Sequence, residues 1–350
     1  MIDVRSVSAQ LLIQAARQQR LHVRVLSKRN NFFEVSDDRQ SFLIQATALP
    51  INTQTGARIA NNKFLTKKIL LGHHLPVPKS WVVKNASELR KIVAKYSPYP
   101  LVIKPVEGSH GTEVFSHIED KQELEGVIQE IFTKKTSREI LVEEHVSGRD
   151  LRVFVVGKTV PAVLERIPAH VIGDGEKNIR QLVKEFNHHP LVGKKYEKPM
   201  CKIHLTKEEK RILAKQNLTI WSIPDNGQRV WLRNNANIST GGIGKDVTDT
   251  TPQWIKDLAI KACAAVGLQV SGLDIIFNDI TQKAFILEIN DTAGIDVHHF
   301  PAVGKTRDVA GVIMKYLFSD RSLLLEPSKI PLKSDHWNTS WFGALGKFLS

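Results

Sequence analysis

VIKPVEGSHGTEV, residues 102–114, puts a lysine at the end of an apolar run and follows it with a loop holding Gly108, Ser109, His110, Gly111 and Thr112. The loop is not a Walker P-loop, because the Gly-Lys-Ser/Thr ending is missing and Lys104 precedes the glycines. A different phosphate cradle is open to such a sequence. A lysine leaving a strand end into a cleft meets a phosphate as a point charge, while Gly108 and Gly111 let backbone N–H groups fold over the same anion. Taken alone, the pattern is also that of a hairpin connection with an exposed lysine, since glycine-rich turns between strands are common.

The weight comes from segments elsewhere in the chain. In AFILEIN, residues 284–290, the two-residue period of a strand puts Glu288 and Asn290 on one face and Phe285, Leu287 and Ile289 on the other. GLDII, residues 272–276, brings Asp274 on the preceding strand. Two carboxylates and a carboxamide are all oxygen donors, a set suited to Mg²⁺ shared with nucleotide phosphates; the alternative is the polar face of an edge hairpin. A third segment is ILVEEHVSGRDLRVFVV, residues 140–156. An extended stretch with an open backbone edge can read adenine through one carbonyl and one N–H, and a carboxylate a few residues on can hold ribose hydroxyls. Glu143, Glu144, Val146 and Asp150 fit those roles, although a surface hairpin with acidic residues would look much the same.

Composition narrows the partners without choosing one. The net charge of +13 attracts anions, whether nucleic acid or acidic small molecules. No zinc-finger spacing, basic zipper or aromatic platform motif supports nucleic acid, and the lysines and arginines are scattered along segments that read as solvated helix faces. No apolar run approaches the ~20 residues that a membrane span needs, and the N-terminus lacks the layout of a secretory signal, so the cytoplasm is the expected location. Two cysteines, Cys201 and Cys263, are too few and too far apart for a disulfide framework or a thiolate metal cluster.

Periodicity predicts a helix over residues 8–19, a strand over 21–26 and a helix over 61–71, which the prolines of HHLPVP end. Residues 80–156 then alternate strand and helix and read as one α+β lobe. Further helices are expected near IRQLVKEFN, KEEKRILAKQ and PQWIKDLAIKACAAVG, then the strands GLDIIF and AFILEIN, and a closing helix over residues 304–318. The expected organisation is an N-terminal α/β lobe over 1–75, a small lobe with the glycine lid over 76–156, a large lobe with the metal site over 157–325, and a tail over 326–350.

Read in order, Lys63, Lys104, the glycine loop, the E-E-x-V-x-G-x-D segment and the D…E-x-N set resemble an ATP-grasp enzyme. VIGDGEKNIRQLVKEFN, GQRVWLRNNANISTGG followed by KDVTD, and EINDTAGIDVHHFPAVGKTRDVA are similar to the ATP-grasp portions of cyanophycin synthetase and of bifunctional glutamate–cysteine ligase/glutathione synthetase. The similarity runs from about residue 61 to 318. It implies an ATP-grasp fold in which two α+β lobes clamp ATP, and a carboxylate–amine ligase that forms an amide bond through an acyl phosphate and releases ADP and phosphate.

Carried over by residue, the resemblance implies that Lys63 and Lys104 contact nucleotide phosphates under a lid of residues 108–112. Glu143, Glu144 and Val146 hold adenine and Asp150 the ribose, while Asp274, Glu288 and Asn290 bind Mg²⁺ or Mn²⁺. Arg233, Asn235, Asn237, Gly241 and Gly242 lie near the transferred phosphate and acyl group, with Lys104, Arg233 and Asn237 catalytic. His298 matches a histidine near the substrate end, and a packing histidine is its alternative. The implied partners are a carboxylate and an amine, an amino acid or small peptide, and family members are often dimers or tetramers. At 350 residues the chain has room neither for the Mur-ligase-like site of cyanophycin synthetase nor for the γ-glutamyl–cysteine ligase of the bifunctional enzyme, and it reads as an unaccompanied ATP-grasp unit. Glu113 follows Thr112 where relatives often keep a small residue, so the lid is expected to behave differently. The reaction type carries over and the substrates do not. The alternative function is a sensor or partner subunit that binds nucleotide without turnover.

Overall fold

Capping residues fix where the first elements begin. In the structure, a computed structural model that describes residues 4–96, 99–106, 114–133, 139–193, 198 and 200–319, Ser6 starts α1 (Val7–Gln18) by accepting the Ala9 N–H, and Leu12, Ile13 and Ala16 repeat along its buried face. Three antiparallel strands follow in the order β1 (His22–Ser27), β2 (Phe32–Ser36) and β3 (Ser41–Gln45). Only the first is anticipated from the sequence; the other two are five residues each, too brief to show their alternation against polar surroundings.

The helix expected over 61–71 is α3 (Lys63–Gly72), and a helix that the sequence reading does not expect, α2 (Gln54–Asn61), precedes it. Asn62 separates them: its backbone is extended at φ −108° and ψ 99°, and its side chain caps α3 by accepting the Leu65 N–H. Next come β4 (Ser80–Val83), α4 (Ala86–Tyr96), β5 (Leu101–Pro105), β6 (Phe115–Ile118), α5 (Lys121–Thr133) and β7 (Ile140–Glu144). Their strands form a four-stranded antiparallel sheet in the order β4-β7-β5-β6, and Trp81, Leu89, Ile103, Ile128 and Val142 make its core. The glycine loop, residues 108–112, and the tail over 326–350 lie outside the described residues.

The rest of the chain runs β8 (Arg149–Val156), β9 (Thr159–Ile167), β10 (His170–Ile172), α6 (Ile179–His188), β11 (Val192–Gly193), β12 (Met200–Cys201), α7 (Lys207–Lys215) and β13 (Arg229–Trp231). It continues through β14 (Ile243–Asp246), α8 (Gln253–Val266), β15 (Val270–Asn278), β16 (Lys283–Asn290), α9 (Asp296–His299) and α10 (Val309–Leu317). An antiparallel sheet in the order β14-β9-β8-β15-β16 dominates this part. The sequence reading puts residues 149–156 in the small lobe. The pairing does not: a tight turn at Gly157 returns β8 onto β9, and β15 takes its other edge, so the four-stranded sheet ends with β7 and β8 opens the larger one.

Alternation along β8 and β15 gives the larger sheet two faces of different character. Leu151, Val153, Val155, Leu273 and Ile275 face α8, α3 and α2 in an apolar core. On the opposite face, Phe154, Val156, Ala162 and Val270 pack under α1, the three-stranded sheet and α10, while Asp150, Arg152 and Asp274 continue the same face beyond the apolar patch. The first 75 residues therefore do not form a lobe with its own core; they cover both faces of this sheet. No helix among the described residues is long and apolar enough to cross a membrane, and both cysteines are buried thiols.

Asn52 clips the N-terminal segment to the large sheet. Its Oδ1 accepts from the N–H groups of Gln269 (2.9 Å) and Val270 (3.0 Å), and its Nδ2 donates to the carbonyls of Val270 (2.7 Å) and Asp291 (3.3 Å). Removing the amide leaves these part-buried backbone groups without their partner. Asn52→Ala is expected to cost about 2–4 kcal/mol of stability, seen as a lowered thermal midpoint and a lowered denaturation midpoint; an unchanged midpoint would show that water replaces the clip.

Candidate active site

A cavity of about 1500 Å³ opens between the four-stranded sheet and the charged end of the larger sheet. It is lined by Lys63, Lys104, Glu143, Glu144, Val146, Asp150, Arg233, Asn235, Asn237, Asp274, Glu288 and Asn290, twelve of the expected site residues drawn from segments far apart in the chain. Gly241, Gly242 and His298 are not among its lining residues.

On the small-lobe wall, adjacent strands β7 and β5 place Glu143 beside Lys104. Glu143 Oε2 lies 2.7 Å from Lys104 Nζ, and Glu143 Oε1 lies 2.9 Å from the ammonium of Lys67 on α3. All three side chains are buried. Burial works to raise the Glu143 pKa, but the two lysines outweigh it and hold the carboxyl below its ordinary value. Burial lowers the Lys67 pKa against the pull of Glu143. The Glu143 side chain is thus engaged by two lysines, contacts that the sequence alone does not show. Lys67 was not singled out from the sequence; the signal was available, one helical turn after Lys63 on the same face of α3.

The opposite wall is built on cross-strand register. Asp274 on β15 is the direct partner of Glu288 on β16, and the pairing then skips, so that Ile275 meets Ile286 and Leu287 bulges out. The bulge corrects the expected alternation: Ile286 and Ile289 both enter the core, Leu287 lines the cavity, and Phe285 does not share a face with Ile289. It keeps Glu288 and Asn290 on the cavity side, with Asn290 Nδ2 donating to Glu288 Oε1 at 3.2 Å. Two arginines grip Asp274, Arg152 through Nε at 2.5 Å and Arg166 through Nη2 at 3.0 Å. Arg166 also donates to Asp150 Oδ1 at 2.6 Å. Burial alone would raise the Asp274 pKa; the arginines bring it down to about 2. Burial, followed by the facing Asp274, raises that of Glu288.

The donor set fits a hard divalent cation, since the carboxylates and the carboxamide offer oxygen and no sulfur or imidazole. Among the described residues no group of three or more His, Cys, Asp or Glu could hold a metal. An ion here would therefore complete its shell with oxygens from a ligand.

At the far end of the cavity Arg233 donates from Nε to Glu209 Oε1 at 2.5 Å. Glu209 is buried in the first turn of α7, where it also closes a capping box with Thr206. Asn235 Oδ1 is buried without a hydrogen-bond partner among the described residues. Gly241 and Gly242 shape the turn after the short 3-10 helix Ile238–Thr240. Gly241 has φ 97°, where a Cβ would strike Ile203, and a Cβ on Gly242 would lie 2.8 Å from the Asn237 carbonyl oxygen. His298 packs edge-on against Phe154, fully buried, and burial pushes its pKa down to about 3. It is a neutral core histidine, the alternative left open by the sequence. Arg152, Arg166 and Glu209 went unnoticed because in sequence they are ordinary charged residues of strands and a helix; only register shows what they grip.

The raised pKa of Glu288 has a measurable consequence. Without a cation this carboxyl keeps its proton above the usual glutamate range, and a divalent ion must expel it. Mg²⁺ affinity is expected to rise with pH through that range and flatten once Glu288 is ionised. Calorimetry in buffers of different ionisation enthalpy checks this as a net proton release on Mg²⁺ binding, which Glu288→Gln removes; release unchanged in that variant would assign the proton elsewhere.

Residues 60–190 match the RimK-like ATP-grasp domain. The chain is 34% identical over 321 residues to the glutathione biosynthesis bifunctional protein GshAB of Clostridium perfringens, covering 89% of this chain and 41% of that protein. It is 35% identical over 296 residues to the cyanophycin synthetase of Trichormus variabilis, covering 83% and 32%. The crystal structure of a bifunctional glutathione synthetase from Pasteurella multocida superposes with a TM-score of 0.68 at 30% identity, covering 91% of this chain and 44% of that one. The chain thus spans less than half the length of these relatives. The strand order, the shared cavity and these similarities lead to one assignment: the chain carries a RimK-like ATP-grasp domain over residues 60–190 and has the ATP-grasp fold.

Proposed function

We propose that the protein is an ATP-dependent carboxylate–amine ligase acting on an amino acid or small peptide, the substrate class suggested by the names of its relatives. The observation that carries this reading is the convergence of Lys104 from one sheet and Asp274, Glu288 and Asn290 from the other on one cavity.

In this reading the γ-phosphoryl group of ATP passes to the substrate carboxylate, ADP leaves, and the amine attacks the acyl carbon and displaces phosphate as the amide forms. Phosphoryl transfer asks the protein mainly for positioning and for cations placed against developing charge. Lys63, Lys104 and Arg233 supply those cations. Asp274, Glu288 and Asn290 would hold Mg²⁺ or Mn²⁺, which supplies further neutralisation of the triphosphate when bound. The segment of Glu143, Glu144 and Val146 takes the base, and Asp150 keeps Oδ2 for ribose hydroxyls while Arg166 occupies Oδ1. Asn235, with its orphaned Oδ1, offers an acceptor to a substrate N–H group, and Asn237 lies beside it.

The reading is tested by screening pairs of amino acids, dipeptides and amines for ADP release with Mg²⁺, with mass spectrometry of the product and Glu288→Ala as control. Turnover is expected to require Mg²⁺ or Mn²⁺ and to fall by at least ~100-fold in Lys104→Ala, the scale of losing one preorganised electrostatic contact. Tight ATP binding with no acid and amine pair that stimulates turnover would favour the subunit reading.

A further inference from the structure

Lys67 has no part in the chemistry above, yet it is among the most deeply buried charges next to it. It follows Lys63 by one turn of α3, but Lys63 lines the cavity and Lys67 does not. The Lys67 residue is 1% exposed, Glu143 2% and Lys104 7%. Two ammonium groups share one carboxylate, one on each oxygen, at 2.9 and 2.7 Å. The Lys67 contact is close but poorly aligned for hydrogen bonding, so Lys67 acts on Glu143 as a point charge. The partners also come from different bodies. Lys104 and Glu143 sit on adjacent strands of the four-stranded sheet, whereas α3 packs against α8 and β16 behind the larger sheet.

A buried carboxylate that loses its sole cation is left uncompensated, and that state is strongly penalised. With Lys104 as its sole partner, Glu143 would hold Lys104 back from any phosphate entering the cavity. A second ammonium removes the penalty, because Glu143 stays neutralised when Lys104 turns away. Lys67 can fill this part because it is out of reach of the ligand and remains where it is.

We infer that Lys67 is a positioning residue: it keeps Glu143 compensated so that Lys104 can move from Glu143 to a phosphate of the incoming nucleotide. The inference rests on the ATP-binding reading of the cleft. It makes the effect of Lys67 conditional on the charge of Glu143, which a role in packing alone would not.

Calorimetric binding of a non-hydrolysable ATP analogue with Mg²⁺ to wild type, Lys67→Met, Lys67→Arg, Glu143→Gln and the Lys67→Met/Glu143→Gln double variant tests it, with thermal unfolding of each as a check on folding. Lys67→Met is expected to weaken binding by at least about tenfold, since Glu143 then monopolises Lys104. Lys67→Arg keeps the charge and most of the affinity. The double variant recovers most of the loss, because a neutral carboxamide does not compete for Lys104. Should Lys67→Met fail to fold, Glu143→Gln and the double variant carry the comparison and are expected to bind alike. Wild-type affinity in Lys67→Met, a double variant no tighter than Lys67→Met, or a large difference between Glu143→Gln and the double variant overturns the inference while leaving the ATP reading intact. A wild-type chain that binds no analogue overturns both.

Discussion

Three strands in register hold the charged wall of the cleft: Arg152 on β8 lies directly opposite Asp274 on β15, which lies opposite Glu288 on β16. A slip of one residue would turn Asp274 into the core now filled by Leu273 and Ile275, so the apolar pattern that buries one face also fixes the acid on the other. The bulge at Leu287 lets β16 serve both demands, sending Ile286 and Ile289 to the core while Glu288 and Asn290 keep the cavity side. Space is as constrained as register. A Cβ at Gly272 would lie 2.6 Å from that of Ala293 and 3.2 Å from Arg152 Cδ, so a side chain there would collide with Ala293 and crowd the stem of Arg152.

The two walls solve one electrostatic problem in mirrored ways. On one, a carboxylate is shared by two lysines; on the other, a carboxylate is shared by two arginines. Burying any of these charges alone would be prohibitive; the two lysines leave their group with a net positive charge, while on the other wall Asp150 also pairs with Arg166 and offsets the second arginine. The lysine wall thereby presents positive charge to an anion before one arrives. Glu288 is the exception on its wall: it is buried and faces Asp274 rather than an arginine, and burial first and then that facing acid make its proton hard to remove.

Much of this was legible in the sequence. Side chains that project from strand ends at a fixed spacing, such as Lys104, Glu288 and Asn290, can be read without knowing what they meet, and the ordered motifs gave the fold. Relations across strands could not be read. Glu143 looks like one half of an acidic pair until β5 is set beside β7 and Lys104 meets it. Arg152 and Arg166 are polar positions in alternating strands until register shows both on Asp274. The bulge at Leu287 escapes for a related reason: it is a local departure of one residue, decided by a tertiary packing demand that periodicity averages away. Strand β8 belongs to the larger sheet because β9 and β15 take its two edges, and no signal within residues 149–156 shows those partners.

Helix α7 ties the far end of the cavity to the small lobe. Its buried Glu209 orients Arg233, while on its exposed side Arg211 reaches Glu123 at 3.4 Å and Lys215 reaches Glu119 at 3.2 Å as well as Glu123, both acids lying at the start of α5. Exposed pairs of this kind contribute little one at a time. Here one carboxylate takes both cations of a single helix face, so the contacts order one another, and the helix that carries them is anchored by the Thr206 capping box. The position of Arg233 and the seating of the four-stranded lobe are consequently not independent: the same nine-residue helix holds one through its buried face and the other through its solvent face.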